Sequence, residues 1–542
     1  MIHGNINKIN LSVSSFERLI SEGMLYVDKT RMIENFLNCS STVQLIARQR
    51  RLGKSMNMDM LGCFLTDKDD KRHLFKGLYV ENSTVWEKAN SAPVFYFDFK
   101  ILNKDTYKEM LYDMVCDYID SYCDEAKLSR ATKRYYNNDY YDNSAGLLHL
   151  TESVYRTTGK RSYIFIDEYD KLLMENQDTE FYDGIREYLS GFISSGSKGN
   201  PYLEKGLLTG VLRISHESLL SGLNNIVIYD MFSDDLYTDD YGLTEEEVVE
   251  LNKLAPFDIN EAREWYNGVR VNSKPIYNVY AMMSFLYWGK YDCYWGRSGT
   301  MDLIIDLLNE NRKLVLTAML DQKPHEVPME KYISIKRLSN TSDDMAFYSL
   351  LVQSGYLALI ELHNSDAVVA IPNKELIYVW KNFIIEALNI DKKYIRTMFD
   401  NVDNGLIFAE DLEYFLTNRL SFHDLAKIGG ESSARAHEKA YHLYLLGMLS
   451  AFEDVRRHYP LSNRESGNGR YDICVERRSF RIIFELKVCD GAEGLDKKAQ
   501  EALEQIDIKR YGVELTPGKK LIKVGIAFHK KSCRVRVKKD EF

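Results

Sequence analysis

Apolar residues recur along the chain at two periods, and these sort its stretches into strands and helices. Residues 42–47 (T-V-Q-L-I-A) are β-branched and apolar without a break and read as a buried strand. Beyond Lys54 the period changes. Met56, Met60, Leu61 and Phe64 fall at helical spacing, so a helix starts near Gly53. Residues 163–166 form a second apolar strand that ends in Asp167 and Glu168, and the runs 94–99, 206–212 and 226–229 fit the same sheet. Residues 347–356 predict a helix feeding a strand at 357–360. Near Ala434 the character changes: Glu438 opens an apolar helix through Tyr441, Leu445, Met448 and Leu449. A glycine-containing turn then enters a strand at Asp472, and a short polar hairpin leads to a second strand at 481–488 (R-I-I-F-E-L-K-V).

Chemistry can be placed on these elements. A phosphate-binding loop reads G-x-x-x-x-G-K-[ST]; here Arg48 stands at the first glycine and Gly53-Lys54-Ser55 completes the motif between a strand and a helix N-terminus. Backbone N–H groups at that terminus favour anions. Lys54 would reach the β- and γ-phosphates of ATP, and the Ser55 hydroxyl would take Mg²⁺. A bare G-K-S is also an ordinary charged helix start. The acidic pair weighs against that, because the C-terminal end of a strand is the ligand-binding mouth of an α/β sheet. Asp167 would hold Mg²⁺ and Glu168 would polarise the attacking water. At the end of the 206–212 run, Thr209 and Arg213 offer polar groups that could sense the γ-phosphate. Arg50 and Arg51 either add charge near the phosphates or form a solvated basic turn.

In the last strand Glu485 and Lys487 are two residues apart, so both point to one face while Leu486 points into a core. A carboxylate and an amine inside an apolar strand are costly without a purpose. Asp472 on the neighbouring strand can meet them. Asp472 and Glu485 would bind Mg²⁺ through oxygen, with Lys487 positioning water or neutralising the phosphorane; a structural ion-pair set is the other reading. Arg534, Arg536 and Lys538 alternate with Val535 and Val537, which puts three cations on one strand face, either as a phosphate-backbone contact or as a charge-protected edge.

Composition limits the alternatives. With 542 residues the chain is long enough for three or four domains, and its net charge of -10 excludes whole-molecule attraction to nucleic acid, leaving local patches. Nine Asp/Glu and no Lys/Arg between positions 230 and 250 read as a solvated face or linker, with a capping box at Thr244–Glu247. The eight cysteines form no C-x-x-C pair, which argues against zinc and for a reducing compartment. The N-terminus lacks the pattern of a signal peptide, and the longest apolar stretch falls short of the ~18 residues of a membrane span. A cytoplasmic protein with no membrane partner is expected, and homo-oligomerisation is left open.

The motifs Tyr26–Thr30, Arg48–Ser55, Ile166–Asp170, Thr209–Ser215 and Ser221–Asn225 together resemble the bacterial AAA-ATPase-like family. Its phosphate loop is typically R-P-R-R-F-G-K-S, so Arg48 is ordinary there, and this chain departs at Gln49 and Leu52. Asp472, Glu485 and Lys487 resemble the core of the PD-(D/E)xK nuclease superfamily, with Glu438 matching its preceding helix glutamate and Gln505 the glutamine of the following helix. The resemblance implies an α/β fold: a P-loop NTPase sheet domain over 1–240, a helical lid and winged-helix-like region over 241–395, and a restriction-endonuclease-like domain over 396–542. It implies ATP and Mg²⁺ as cofactors, and ATP hydrolysis coupled to a metal-dependent nuclease acting on DNA or RNA. The alternative is a nucleotide-dependent switch whose nuclease fold binds nucleic acid or a protein partner without cleavage.

Overall fold

The computed structural model describes residues 1–137, 142–214, 225–232, 236–272, 274–295, 301–320, 323–338, 340, 342–387, 391–419, 441–442, 444–449, 461–462, 465–477, 479–512, 519–530 and 532–540. They fall into two compact units, Met1–Trp295 with Glu326–Asn373, and Gly296–His325 with Lys374–Phe542. The region 241–395 is thus shared between the two.

The first unit is built on a five-stranded parallel sheet. Its strands are β1 (Val43–Ala47), β2 (Val94–Asp98), β3 (Ser162–Asp167), β4 (Leu203–Gly210) and β5 (Ile226–Tyr229), in the order β2-β3-β4-β1-β5. Every residue of β1 and β3 is buried, which explains their unbroken apolar pattern. Gly53, with φ at +91°, turns the chain out of β1 into helix α1 (Lys54–Leu65), which buries Met60, Leu61 and Phe64 against the sheet. Two strands end earlier than the apolar runs suggest. At β2 the Asp98 carboxylate accepts from the Lys100 N–H at 2.8 Å and starts a 3₁₀ turn. At β4 the N–H groups of Val211 and Leu212 are taken by the Asp170 carboxylate, at 2.9 and 2.7 Å, in place of a strand ladder.

Beyond the sheet come three helices, α2 (Glu245–Leu254), α3 (Ile259–Tyr266) and α4 (Val279–Trp288). The capping box at the start of α2 is present, between Thr244 and Glu247. The acidic stretch around it is solvated only in part: Asp239, Glu246 and Glu250 are exposed, the others described are not. Asp230 and Asp240 are buried, Asp240 accepts from Asn35 at 2.7 Å, and Glu247 pairs with the Lys29 amine at 2.7 Å. Helix α5 (Asp344–Ser354) leads into a hairpin, Ala358–His363 with Asp366–Ala370, the helix-then-strand order expected of a winged helix.

The second unit carries a mixed five-stranded sheet of β6 (Leu461–Ser462), β7 (Ile473–Glu476), β8 (Phe480–Val488), β9 (Lys520–His529) and β10 (Ser532–Asp540), side by side in that order. β8 and β9 are parallel; the other pairs are antiparallel. One face holds an apolar core in which Leu486 packs with Phe408, Leu412, Leu445 and Leu449. Helix α6 (Leu495–Ile508) covers the other face. It sits closest at Gly525, where an added Cβ would lie 2.3 Å from the Ala499 carbonyl and 2.6 Å from the Leu503 nitrogen. Gly525 pairs with Glu485 across the β8–β9 ladder, so the missing side chain makes room for the helix beside that carboxylate. The three cations of β10 are ion-paired: Arg534 with Glu413 at 2.9 Å, Arg536 with Asp496, and Lys538 with Asp507 at 2.7 Å. That stripe is a neutralised edge.

Gly525→Ala is expected to force α6 off the sheet and destabilise the second unit by about 1–3 kcal/mol, the usual range for overpacking. Urea unfolding followed by limited proteolysis of residues 495–508 measures this; an unchanged midpoint would mean that the contact is slack.

Candidate active sites

In the first unit the expected residues converge on one carboxylate. Asp167 ends β3 and is buried. Its Oδ2 accepts from the Ser55 hydroxyl at 2.5 Å and from the Tyr96 phenol at 3.1 Å. Its Oδ1 accepts from the Thr209 hydroxyl and from the Glu168 N–H at 3.0 Å. The end of β3 is thereby tied to the start of α1 and to the strands on both sides. Lys54 folds back over the loop, and its amine donates to the carbonyls of Arg48 and Gln49, each at 2.9 Å. Burial lowers the Lys54 pKa, opposed by the charges of Glu168, Asp167 and Asp170. Glu168 has a left-handed backbone with φ at +55°, an uncommon conformation for a side chain of its size, which turns the chain sharply after Asp167.

The arginines go elsewhere. Arg48 is buried, and its Nη1 donates to the carbonyls of Ala47 and Tyr229 at 3.0 and 3.2 Å. It therefore braces the ends of β1 and β5, where a glycine would leave a gap. Arg51, with φ at +67°, lays its guanidinium over the Tyr280 ring of α4 at 4.3 Å. The Arg50 carbonyl accepts from Asn278 at 3.4 Å, and its half-buried side chain contributes to lowering the Lys54 pKa. Arg213 is turned away from the Ser55–Asp167 group: it pairs with Asp230, donates to the Tyr332 hydroxyl at 2.7 Å and stacks 4.1 Å over that ring.

Two participants have no role that the sequence alone assigns. Tyr96 is recognisable only once β2 is known to lie beside β3, with Asp98 in register with Asp167. Asp170 sits three residues beyond Asp167 and holds the exit of β4 through Val211 and Leu212, while the Tyr169 hydroxyl donates to the Leu212 carbonyl at 2.7 Å. Burial, with a smaller contribution from Glu168, pushes the Asp170 carboxyl up to about 6.

In the second unit Asp472 immediately precedes β7, and the Ile473–Phe484 pairing sets it opposite Glu485. The Asp472 Oδ2 accepts from the Leu486 N–H at 2.7 Å. Glu485 is 3 % exposed and Lys487 half-exposed, and both face α6. Gln505 of α6 joins them: its Nε2 donates to Glu485 Oε1, and its Oε1 accepts from the Lys487 amine at 2.6 Å. Lys487 also lies 3.7 Å from Glu485 Oε1. Glu438 lies outside the described residues, as do most of positions 215–225. Among the described residues no group of three or more His, Cys, Asp or Glu is placed to hold a metal ion; Asp472 and Glu485 bring two carboxylates together, and two such ligands with water or phosphate oxygen completing the shell is a mode that suits Mg²⁺.

Residues 10–220 match the model of the AAA-ATPase-like family, described as a predicted AAA-ATPase, and residues 436–538 match that of the PD-(D/E)XK nuclease superfamily. The two domains belong to these families. Over nearly its whole length the chain is similar to an uncharacterised protein in the vnfD 5′ region of Azotobacter chroococcum, 25% identical over 97% of this chain and 98% of that one. Among solved structures it is similar to a Walker-type ATPase of Pyrococcus abyssi (15% identity, TM-score 0.33, 65% of this chain and 94% of that chain). Another is a signal-transduction ATPase with a tetratricopeptide repeat sensor from Pyrococcus horikoshii (15% identity, TM-score 0.28, 78% and 58%). No helix among the described residues is long and apolar enough to cross a membrane.

Asp170 gives the ATPase-like domain a testable pH signature. Its folded pKa is raised from 3.8 to about 6, so the folded state binds the proton more tightly; the stabilisation is full below about pH 4 and is lost as pH rises from there through about 6. Asp170→Asn keeps an oxygen for the two N–H groups and removes the charge. The variant is expected to match wild type below pH 4 and to exceed it by up to ~3 kcal/mol above pH 7, at 1.36 kcal/mol per pKa unit. Thermal unfolding across this range measures it.

Proposed function

We propose that the chain binds and hydrolyses ATP in its first unit and cleaves a nucleic-acid phosphodiester, with Mg²⁺, in its second. The observation that carries the reading is the chain of contacts Glu485–Gln505–Lys487 facing Asp472. Gln505 holds the carboxylate and the amine at once, which fixes both side chains before any substrate arrives. A purely structural ion pair has no need of an intervening amide. Asp472 and Glu485 would hold the ion, which supplies an activated water and charge stabilisation at the phosphorus. Lys487 would orient that water or neutralise the charge developing on phosphate oxygen.

In the ATPase-like domain, Ser55 and Asp167 are already in contact and would share the ion that accompanies the nucleotide. Lys54 would exchange its two carbonyl partners for phosphate oxygens, a stronger charge-assisted contact. Glu168 would take the proton from the attacking water, and Thr209, bonded to Asp167, would report the γ-phosphate to β4.

Glu168→Gln is expected to bind ATP with wild-type affinity by calorimetry and to turn over about 10²–10⁴-fold more slowly, whereas Lys54→Ala should lose binding. Equal turnover by wild type and Glu168→Gln would assign the base elsewhere.

Asp472→Ala is expected to abolish Mg²⁺- or Mn²⁺-dependent cleavage of labelled single- and double-stranded DNA and RNA while ATP turnover persists. Lys487→Ala should keep metal binding and lose about 10²–10³-fold in rate. A wild-type chain that cuts none of these substrates with either metal, in the presence or absence of ATP, would leave the non-cleaving switch as the reading.

A further inference from the structure

Helix α6 continues past Gln505 for one more turn. Lys509 caps it with helical backbone, and its N–H donates to the Gln505 carbonyl at 2.9 Å. Four residues apart, Gln505 and Lys509 share the helix face that meets Glu485 and Lys487. The turn preceding Asp472 folds onto this helix end. The Asn468 N–H donates to the Lys509 carbonyl at 2.7 Å, the Gly512 N–H to the Ser466 hydroxyl at 2.8 Å, and the Tyr511 hydroxyl to the Arg470 carbonyl at 2.7 Å. The fit is close: a Cβ on Gly467 would lie 2.3 Å from the Arg510 carbonyl and 2.4 Å from that of Lys509. A Cβ on Gly469 would lie 3.5 Å from Lys509 Cδ, so the lysine stem runs along the turn. Asn468, Arg470, Lys509 and Arg510 are all exposed on this elbow; Arg470 lies two residues before Asp472 in the chain, and Lys509 one helical turn after Gln505.

Two features separate Lys509 and Arg510 from an ordinary solvated surface. Most lysines and arginines around this sheet are neutralised: Arg481 and Lys519 by Glu476, Lys523 and Lys538 by Asp507, Arg536 by Asp496. Among the described residues, neither Lys509 nor Arg510 has a carboxylate at ion-pair distance. The second feature is conformational. Arg510 occupies the left-handed position after the helix cap, with φ at +56°, where glycine is strongly preferred. An arginine there weakens the fold relative to glycine and keeps a permanent cation at the rim of the site.

We propose that this elbow, the 466–470 turn with Lys509 and Arg510, is the phosphate-backbone clamp that grips a nucleic-acid strand as it passes Asp472 and Glu485. The clamp rests on the nuclease reading given above. Its ligand is the sugar–phosphate backbone, read by charge and not by base.

The test uses the full chain carrying Asp472→Ala, so that binding is read without cutting, and labelled single- and double-stranded DNA and RNA oligonucleotides followed by fluorescence anisotropy from 50 to 300 mM salt. Adding Lys509→Ala with Arg510→Gly is expected to weaken binding about tenfold and to make the slope of log K against log salt shallower by about 2, one phosphate contact for each cation. Arg510→Gly alone should raise the melting temperature and still weaken binding about threefold, a pair of effects that a merely structural residue would not give. If both sets bind with the parent's affinity and slope, the clamp is wrong and the nuclease reading stands. If the parent binds none of the four nucleic acids, the clamp falls together with the nucleic-acid reading.

Discussion

A carboxylate on an apolar strand is stable only if donors replace the water it has lost, and both units are organised around that requirement. Asp167 meets it with hydroxyls from α1, β2 and β4 and with the next backbone N–H. Glu485 meets it at Oε1, with the Gln505 amide and the Lys487 amine 3.7 Å away, and Asp472 at Oδ2 with the Leu486 N–H. In each case the donors come from different elements, so satisfying one buried charge also fixes how those elements meet. The stability of the sheet ends and the geometry of the sites are one problem with one solution.

Close approach of backbone is the second recurring device. Gly525 lets α6 rest on β9, which brings Gln505 within reach of β8. Gly210 does the same at the other site, because a Cβ there would strike the Tyr169 ring at 2.5 Å and the Asp170 carboxylate at 2.8 Å. Both glycines lie on strands, where the residue is otherwise unfavourable, and each faces the element that carries a proposed catalytic or positioning group.

What the sequence disclosed was local in character. Strands β1 and β3, the Gly53 turn, the Thr244 cap and the shared face of Glu485 and Lys487 each follow from spacing within a few residues. What it hid was decided by partners far along the chain. Arg213 could have faced a phosphate, yet Asp230 and Tyr332, the latter 119 residues away, hold it. The β10 cations could have faced a ligand, yet Glu413, Asp496 and Asp507 neutralise them. Tyr96 carries no motif at all and is identified only by the strand beside it. The acidic run at 230–250 misled in part for the same reason, since a charge pattern shows the sign of a surface but not whether a partner waits for Asp230, Asp240 or Glu247.

Glu247 serves two scales at once. Its carboxylate closes the capping box of α2 by accepting from the Thr244 N–H at 2.8 Å, and the same group pairs with Lys29, 218 residues earlier. The first turn of the helix and its attachment to the sheet domain therefore depend on a single anion. Loss of that one carboxylate would loosen the start of α2 and its attachment to the sheet together.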